Sequence, residues 1–245
     1  MSDTLIWISG ATGGIGLALA QTAPFADARI ITLSRREHPD YETVLFDLTQ
    51  PETYAAVGES FTRELANFKG KRAIFIHNAL YTHVGFVSEG DPAAAAKAIQ
   101  ANAAAPQILG DLFLRAVEPG YESGLVQMSS ASARIPYAGH AAYSAAKAAI
   151  EMWVRVVKLE LAERGRDTWV TAVRPGFVDT PGSREMAAVS ARDYPAAPMV
   201  AAQLAKGGPQ VFTPEFAARQ IWDALLTRKD EPLLYFGKAV VAAAG

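Results

Sequence analysis

The chain has no cysteine among its 245 residues. That excludes a disulfide framework and any thiolate metal site, and it is compatible with a reducing, cytoplasmic setting. Histidines number only 4, at 38, 77, 83 and 140. They lack the i, i+4 spacing of a helical ligand pair, so no metal is expected. No apolar run approaches the ~18 residues of a membrane span. The start, Met1-Ser2-Asp3-Thr4, lacks the charged and apolar regions of a signal segment, and no leader is expected. Charge of one sign is missing too: 23 Lys and Arg face 25 Asp and Glu, with pI about 6.1. That balance argues against a nucleic-acid or polyanion surface.

What is present is apolar material, 50% of the chain against 20% charged residues. This is enough for the core of one large α/β domain. Runs of strand character fall at Thr4–Ser9, Arg29–Ser34, Thr43–Phe46, Arg72–His77, Gly124–Met128, Trp169–Val173 and Pro232–Phe236. Helix-like segments lie between them. One covers about Gly14–Thr22, and a second is opened by capping-box spacing at Thr49-Gln50-Pro51-Glu52. A third, capped by Asp91-Pro92, should break near Pro106 and resume to Ala116. A long helix reaches Glu163, and another runs from Thr213-Pro214 to Thr227. Alternating continuously apolar strands with helices predicts a parallel sheet covered on both faces. The expected architecture is one Rossmann-type, doubly wound domain over 1–245, with about seven strands. The segment 181–212 has weak periodicity and reads as a substrate lid.

Such sheets bind ligands beyond the carboxyl ends of their strands. Gly10-Ala11-Thr12-Gly13-Gly14-Ile15-Gly16 follows the first strand, where a bare backbone opening a helix suits a pyrophosphate. The second strand ends in Ser34-Arg35-Arg36, with no carboxylate for a ribose 2′-hydroxyl. Two guanidinium groups suit a 2′-phosphate and favour NADP(H), unless Glu37 pairs with them. Asp47 ends the third strand and either meets an adenine or forms a turn. Asn78-Ala79, Ser129-Ser130 and the stretch Pro175 to Thr180 follow the fourth, fifth and sixth strands.

Tyr143 and Lys147 stand one helical turn apart. Chance supplies that spacing about 8 × 8/245 ≈ 0.26 times, so it needs the strand-end context to carry weight. An ammonium ~4 Å from a phenol favours the phenolate by roughly 4 kcal/mol at a dielectric of ~20. The pair therefore predicts a tyrosine with a lowered pKa, able to exchange a proton with a carbonyl or alcohol oxygen. Tyr137 and His140 either line the pocket or are ordinary loop residues. Met186, Tyr194 and Met199 touch an apolar substrate or pack the lid.

With Gly10-xxx-Gly14-Ile15-Gly16, Asp47-Leu48, Asn78-Ala79, Asn102, Ser130, Tyr143-xxx-Lys147 and Pro175-Gly176 with Thr180, the chain resembles the short-chain dehydrogenase/reductase family over its whole length. The resemblance implies Ser130, Tyr143 and Lys147 as catalytic residues, with Asn102 completing a water-linked proton relay. It implies that Lys147 binds the nicotinamide ribose. It implies that Thr180 meets the carboxamide or phosphate region and that Pro175, Gly176 and Val178 also bind the cofactor. The sequence departs from the family at Ser9, His77, Leu80 and Ala133. Within the family it is most similar to the sepiapterin reductase and benzil reductase branch, through Ser34-Arg35-Arg36-Glu37, Pro136-Tyr137-Ala138-Gly139, the stretch Pro175 to Thr180, Gly207-Gly208-Pro209 and Thr213-Pro214-Glu215-Phe216. That implies NADPH-dependent reduction of a small-molecule ketone or diketone. The alternatives are alcohol oxidation, an epimerase or dehydratase using the same pair, and a non-catalytic NADP sensor. Met152, Trp153 and Val156 on the long helix either face the sheet or meet a second copy. The expected assembly is a homodimer.

Overall fold

The computed structural model describes residues 2–207 and 210–237; Gly208-Pro209 of the quoted motif lies outside them. Strands β1 (Thr4–Ser9), β2 (Ala28–Ser34), β3 (Glu42–Leu45), β4 (Arg72–His77), β5 (Glu122–Met128), β6 (Trp169–Arg174) and β9 (Leu233–Tyr235) form one sheet in the order β3-β2-β1-β4-β5-β6-β9. Every pairing in it is parallel. The order reverses between β1 and β4, and a crevice opens at such a switch point. Two further strands, β7 (Phe177–Val178) and β8 (Val211–Phe212), pair in a small parallel bridge.

The helices are α1 (Gly14–Gln21), α2 (Tyr54–Leu65), α3 (Pro92–Ile99), α4 (Ala105–Ala116), α5 (Ala141–Glu163), α6 (Pro181–Ala187), α7 (Ala197–Lys206) and α8 (Pro214–Thr227). Successive strand side chains point to opposite faces, so the core divides in two. On one face Leu5, Trp7, Phe75 and Leu125 pack against α2, α4 and α5. Edge-to-face rings tie it together: Phe61 lies 5.3 Å from both Trp7 and Phe113. On the other face Ile6, Ile8, Ile74 and Ile76 pack against α1 and α8. There Trp222 donates its indole N–H to the Leu19 carbonyl at 3.0 Å.

Two local expectations fail for identifiable reasons. The helix does not break near Pro106. It runs from Pro92 to Ala116 through a π-type turn at Gln100–Ala104. Ala105 N–H bonds the Gln100 carbonyl, and the shifted register seats Pro106 in the first turn of α4, where its missing N–H costs nothing. The capping box at Thr49 does not form either. Thr49 donates both its N–H and its hydroxyl to Asp47 Oδ1 at 2.8 Å, and a 3₁₀ turn at Pro51–Thr53 leads into α2. Asp91 and Thr213 do cap their helices, accepting from Ala93 N–H and Phe216 N–H.

Candidate active site

The β1–α1 turn is shaped for something other than a side chain. Gly10 has φ +70°, and an added Cβ there would lie 2.9 Å from Ala79 Cα. At Gly16 the Cβ would sit 2.3 Å from the Gly10 carbonyl and 2.6 Å from Asn78 Nδ2. No side chain caps the start of α1, so its first N–H groups are left for solvent or an anion. These bare backbone positions fit a dinucleotide pyrophosphate, with Thr12 exposed on the turn and Ile15 lining the neighbouring cavity.

Ser9 joins this turn to the end of β4. Its Oγ accepts from Asn78 N–H at 2.9 Å and from Ala79 N–H at 3.0 Å. The hydroxyl proton is then directed to His77 Nδ1, 3.0 Å away, which fixes the neutral ring with its proton on Nε2. His77 is fully buried, and burial together with the Lys147 charge pushes its pKa down to about 3. Asn78 Nδ2 donates to the Ser9 carbonyl at 3.2 Å, bracing the turn. At the end of β2, Ser34 donates to the Arg36 carbonyl. Arg35, Arg36 and Glu37 are all exposed, and no ion pair among the described residues uses either arginine. Beyond β3, Asp47 Oδ1 is occupied by Thr49, and Leu48 is buried.

Ser130 ends β5 and opens a 3₁₀ turn at Ala131–Ala133, accepting from Ser132 N–H at 3.2 Å. Its hydroxyl also reaches the phenol of Tyr143. Tyr143 and Lys147 share one face of α5, with the ammonium 5.5 Å from the ring centroid. Lys147 donates to the Met128 carbonyl at 2.7 Å. Burial dominates both groups. It pushes the Tyr143 phenol up, with the Ser130 hydrogen bond partly offsetting the rise, and it pulls Lys147 down to about 8. The expected lysine-lowered phenol is therefore not what the folded chain holds. The ammonium serves a carbonyl, and desolvation of the phenol outweighs its hydrogen bond with Ser130.

Asn102 stands in the π-type turn and is buried. Its side chain accepts from Tyr81 N–H and donates to the Tyr81 carbonyl, both at 2.8 Å. Pro106, four residues on, has no N–H with which to claim the Asn102 carbonyl in α-helical register. Thr180 caps α6, with its Oγ1 accepting from Ser183 N–H at 3.1 Å.

The fold brings Ile15, Asn78, Ser130, Tyr143, Lys147, Pro175, Gly176, Val178 and Thr180 around one cavity of about 350 Å³. Gly10, Gly14, Gly16, Arg35, Arg36, Asp47, Leu48, Ala79 and Asn102 do not line it. Gly10 to Gly16, Arg35, Arg36, Asp47 and Leu48 follow the ends of β1 to β3 instead. Met186, Tyr194 and Met199, which follow β7, also line the cavity. Tyr194 packs with Ala197 and Val200 in a small apolar cluster of its own.

Two groupings escaped the sequence reading. Glu151 lies one turn beyond Lys147 and is buried. It takes two bonds from Arg174, each 2.6 Å, and one from Ser129 at 2.7 Å. That clamp joins the residue before Ser130, the helix that carries Tyr143 and the residue before Pro175. A carboxylate on the buried stripe of α5 was its visible signal, because a buried acid needs a cation. The second grouping is aromatic. His140 stacks on Tyr194 at 4.5 Å and 28°, and lies 5.1 Å from the Tyr143 ring.

The all-parallel sheet thus carries a glycine cradle at its switch point and a Ser–Tyr–Lys cluster two strands away. A family model for short chain dehydrogenases matches residues 4–190, and the chain belongs to that family, whose members act on CH–OH and C=O groups with a nicotinamide cofactor. It is 24% identical over 237 residues to a benzil reductase ((S)-benzoin forming) from Bacillus cereus, spanning 91% of this chain and 94% of that one. It is 26% identical over 183 residues to a 3-oxoacyl-[acyl-carrier-protein] reductase from Vibrio cholerae, spanning 71% and 72% of the two chains. The ligand-free aldohexose dehydrogenase of Thermoplasma acidophilum has the same fold, with a TM-score of 0.79 at 19% identity, over 100% of this chain and 98% of that one. Among the described residues no helix is long and apolar enough to cross a membrane, and no cluster of His, Cys, Asp or Glu suits a metal.

The buried histidines set a pH dependence. Burial holds His140 down to about 4, as it holds His77 to about 3. The unfolded chain takes up protons below its ordinary 6.5, while the folded chain refuses them until these lower values. Stability is therefore lost as pH falls from about 6.5 towards 4. At pH 4 the share from His140 is about 3 kcal/mol. Urea midpoints measured across this range should fall for the parent chain and fall less steeply for His140→Phe. An unchanged slope in the variant would refute a buried neutral His140.

Proposed function

We propose that this chain reduces a ketone or diketone to an alcohol with NADPH. The observation that carries the reading is the pairing of Ser130 and Tyr143 in a largely apolar cavity, with burial keeping the phenol protonated. A protonated phenol is an acid, and reduction of a carbonyl needs one. The names of the Bacillus and Vibrio relatives support the same direction. The segment 181–212 acts as the lid over this cavity.

The Gly10–Gly16 turn would hold the pyrophosphate, and Arg35 and Arg36 the 2′-phosphate. Asp47, Leu48 and Ala79 would border the adenosine half. Lys147 would hold the nicotinamide ribose, with Pro175, Gly176, Val178 and Thr180 around the nicotinamide. NADPH, when bound, supplies a hydride. Ser130 donates a hydrogen bond to the substrate carbonyl oxygen. Tyr143 gives that oxygen its phenolic proton. Lys147, charged below about pH 8, stabilises the phenolate left behind. Asn102, its side chain committed to Tyr81, would reach the relay through its main chain. Met152, Val156 and Leu159 are exposed at i, i+4, i+7 spacing on α5 and would form the face of a homodimer.

Three measurements test this reading. Tyr143→Phe should lower kcat for diketone reduction at least ~100-fold while leaving NADPH affinity within about twofold. A variant that keeps most of its activity refutes the proton-donor role, whereas the sensor alternative predicts no turnover even in the parent. Arg35→Ala combined with Arg36→Ala should raise the KM for NADPH about 10- to 100-fold, with NADH little changed. Equal weakening of both cofactors would remove the case for NADP. Leu159→Glu should convert the dimer to a monomer in light scattering coupled to gel filtration; a parent chain that is already monomeric would overturn the assembly.

A further inference from the structure

The cavity around Tyr143 is electrostatically one-sided. Among the described residues no Asp or Glu lines it, while three cations do: Arg134, Lys147 and Arg174. Two of these are engaged. Arg174 is neutralised by two bonds to Glu151, and Lys147 donates to the Met128 carbonyl behind Tyr143. Arg134 is different. It is exposed, and none of the side-chain hydrogen bonds or ion pairs among the described residues uses its guanidinium.

Its backbone, by contrast, is fixed. Arg134 N–H bonds the Ala131 carbonyl at 3.0 Å at the end of the 3₁₀ turn that Ser130 opens. Arg134 therefore keeps a set separation from Ser130, roughly 8 Å along a 3₁₀ path of ~2 Å per residue. The lining also has an aromatic part, with His140 stacked on Tyr194 and 5.1 Å from the Tyr143 ring. Burial keeps His140 uncharged, so that part itself attracts no anion.

We infer that the substrate is a carbonyl compound with a flat aromatic body and a carboxylate, its ring against His140 and Tyr194 and its carboxylate paired with Arg134. The inference rests on the reductase reading for the reacting carbonyl at Ser130 and Tyr143. It goes beyond that reading by assigning Arg134 to specificity. Arginine presents two parallel N–H donors that match a carboxylate, which a solvated lysine does not. Among the described residues no acid in the lining competes for that guanidinium.

The test compares 4-acetylbenzoate with its methyl ester, which has nearly the same shape and no charge. Both are measured as substrates, and as competitive inhibitors of whichever diketone the enzyme reduces, for the parent chain, Arg134→Met and Arg134→Lys. The acid should show kcat/KM or inhibition at least ~fivefold better than the ester in the parent. Arg134→Met should erase that preference without changing turnover of the neutral diketone, and Arg134→Lys should restore part of it. An acid that performs no better than its ester overturns the inference, as does an Arg134→Met variant that weakens acid and ester alike. A variant whose main defect is a raised KM for NADPH would show that the guanidinium serves the cofactor, and would also overturn it. The same comparison by thermal shift of the NADPH complex needs no turnover. A preference for the acid there, with no ketone reduced, would sink the reductase reading and leave the Arg134 assignment standing.

Discussion

Everything at this site follows from one constraint: the strands of an all-parallel sheet are buried on both faces. Their middles are largely apolar, and the few polar side chains there need a partner, as Gln127 finds in the Pro106 carbonyl of α4. The polar residues that reach the crevice therefore lie at the strand ends. Ser9, Ser34, His77 and Ser129 occupy the last or next position of their strands, and each is buried and hydrogen-bonded. Parallel strands place all those ends on one edge. Four local sequences far apart in the chain thus meet along one crevice.

Meeting on one edge does not by itself set distances within it. Two buried groups do that work at the two ends of the crevice. Ser9 ties the glycine turn to the start of the β4 loop with three hydrogen bonds on a single hydroxyl. Glu151 ties β5, β6 and α5 with three more. Removing one partner of a buried pair such as Glu151 and Arg174 typically costs ~3–5 kcal/mol, because the other charge is left uncompensated. Replacing both with apolar groups is often neutral, so net stability is a weak reason for the pair. Its better-supported effect is geometric. Ser130 follows Ser129, Lys147 precedes Glu151 by one turn, and Pro175 follows Arg174.

The strands and the glycine turn were readable in the sequence because their signals are local. A run such as Thr4–Ser9 is continuously apolar, and Gly10 and Gly16 sit where any Cβ would collide with backbone. Tyr143 and Lys147 were readable from helical spacing. What could not be read depended on competition between alternatives. Thr49 matched a capping box, yet the Asp47 carboxylate two residues earlier claimed both of its donors. Pro106 signalled a break, yet a π-type turn absorbed it upstream. The β7–β8 bridge joins residues more than thirty apart through strands of two residues each, too short to carry a period. The clamp needed β5, β6 and α5 to be placed together before its charges could be paired.

The proton chemistry shows why spacing alone misjudged the Tyr143 pKa. The i, i+4 geometry brings an ammonium to a phenol, and at ~4 Å in a medium of dielectric ~20 the attraction of a phenolate to it is roughly 4 kcal/mol. Placing the pair inside the fold adds a term that the spacing does not contain. Burial disfavours the charged form of each partner, so it raises the acid form of the tyrosine and weakens the lysine as a cation. With Lys147 turned to the Met128 carbonyl, the burial term wins for the phenol. Lys147 at about 8 still carries its charge at neutral pH, so the attraction remains available if a phenolate forms. The pair thus differs from a phenolate held ready beside a cation. In the proposed reduction it would act as a protonated donor with a counter-charge for the state after transfer, and stabilisation that appears only then would lower the barrier to giving the proton away.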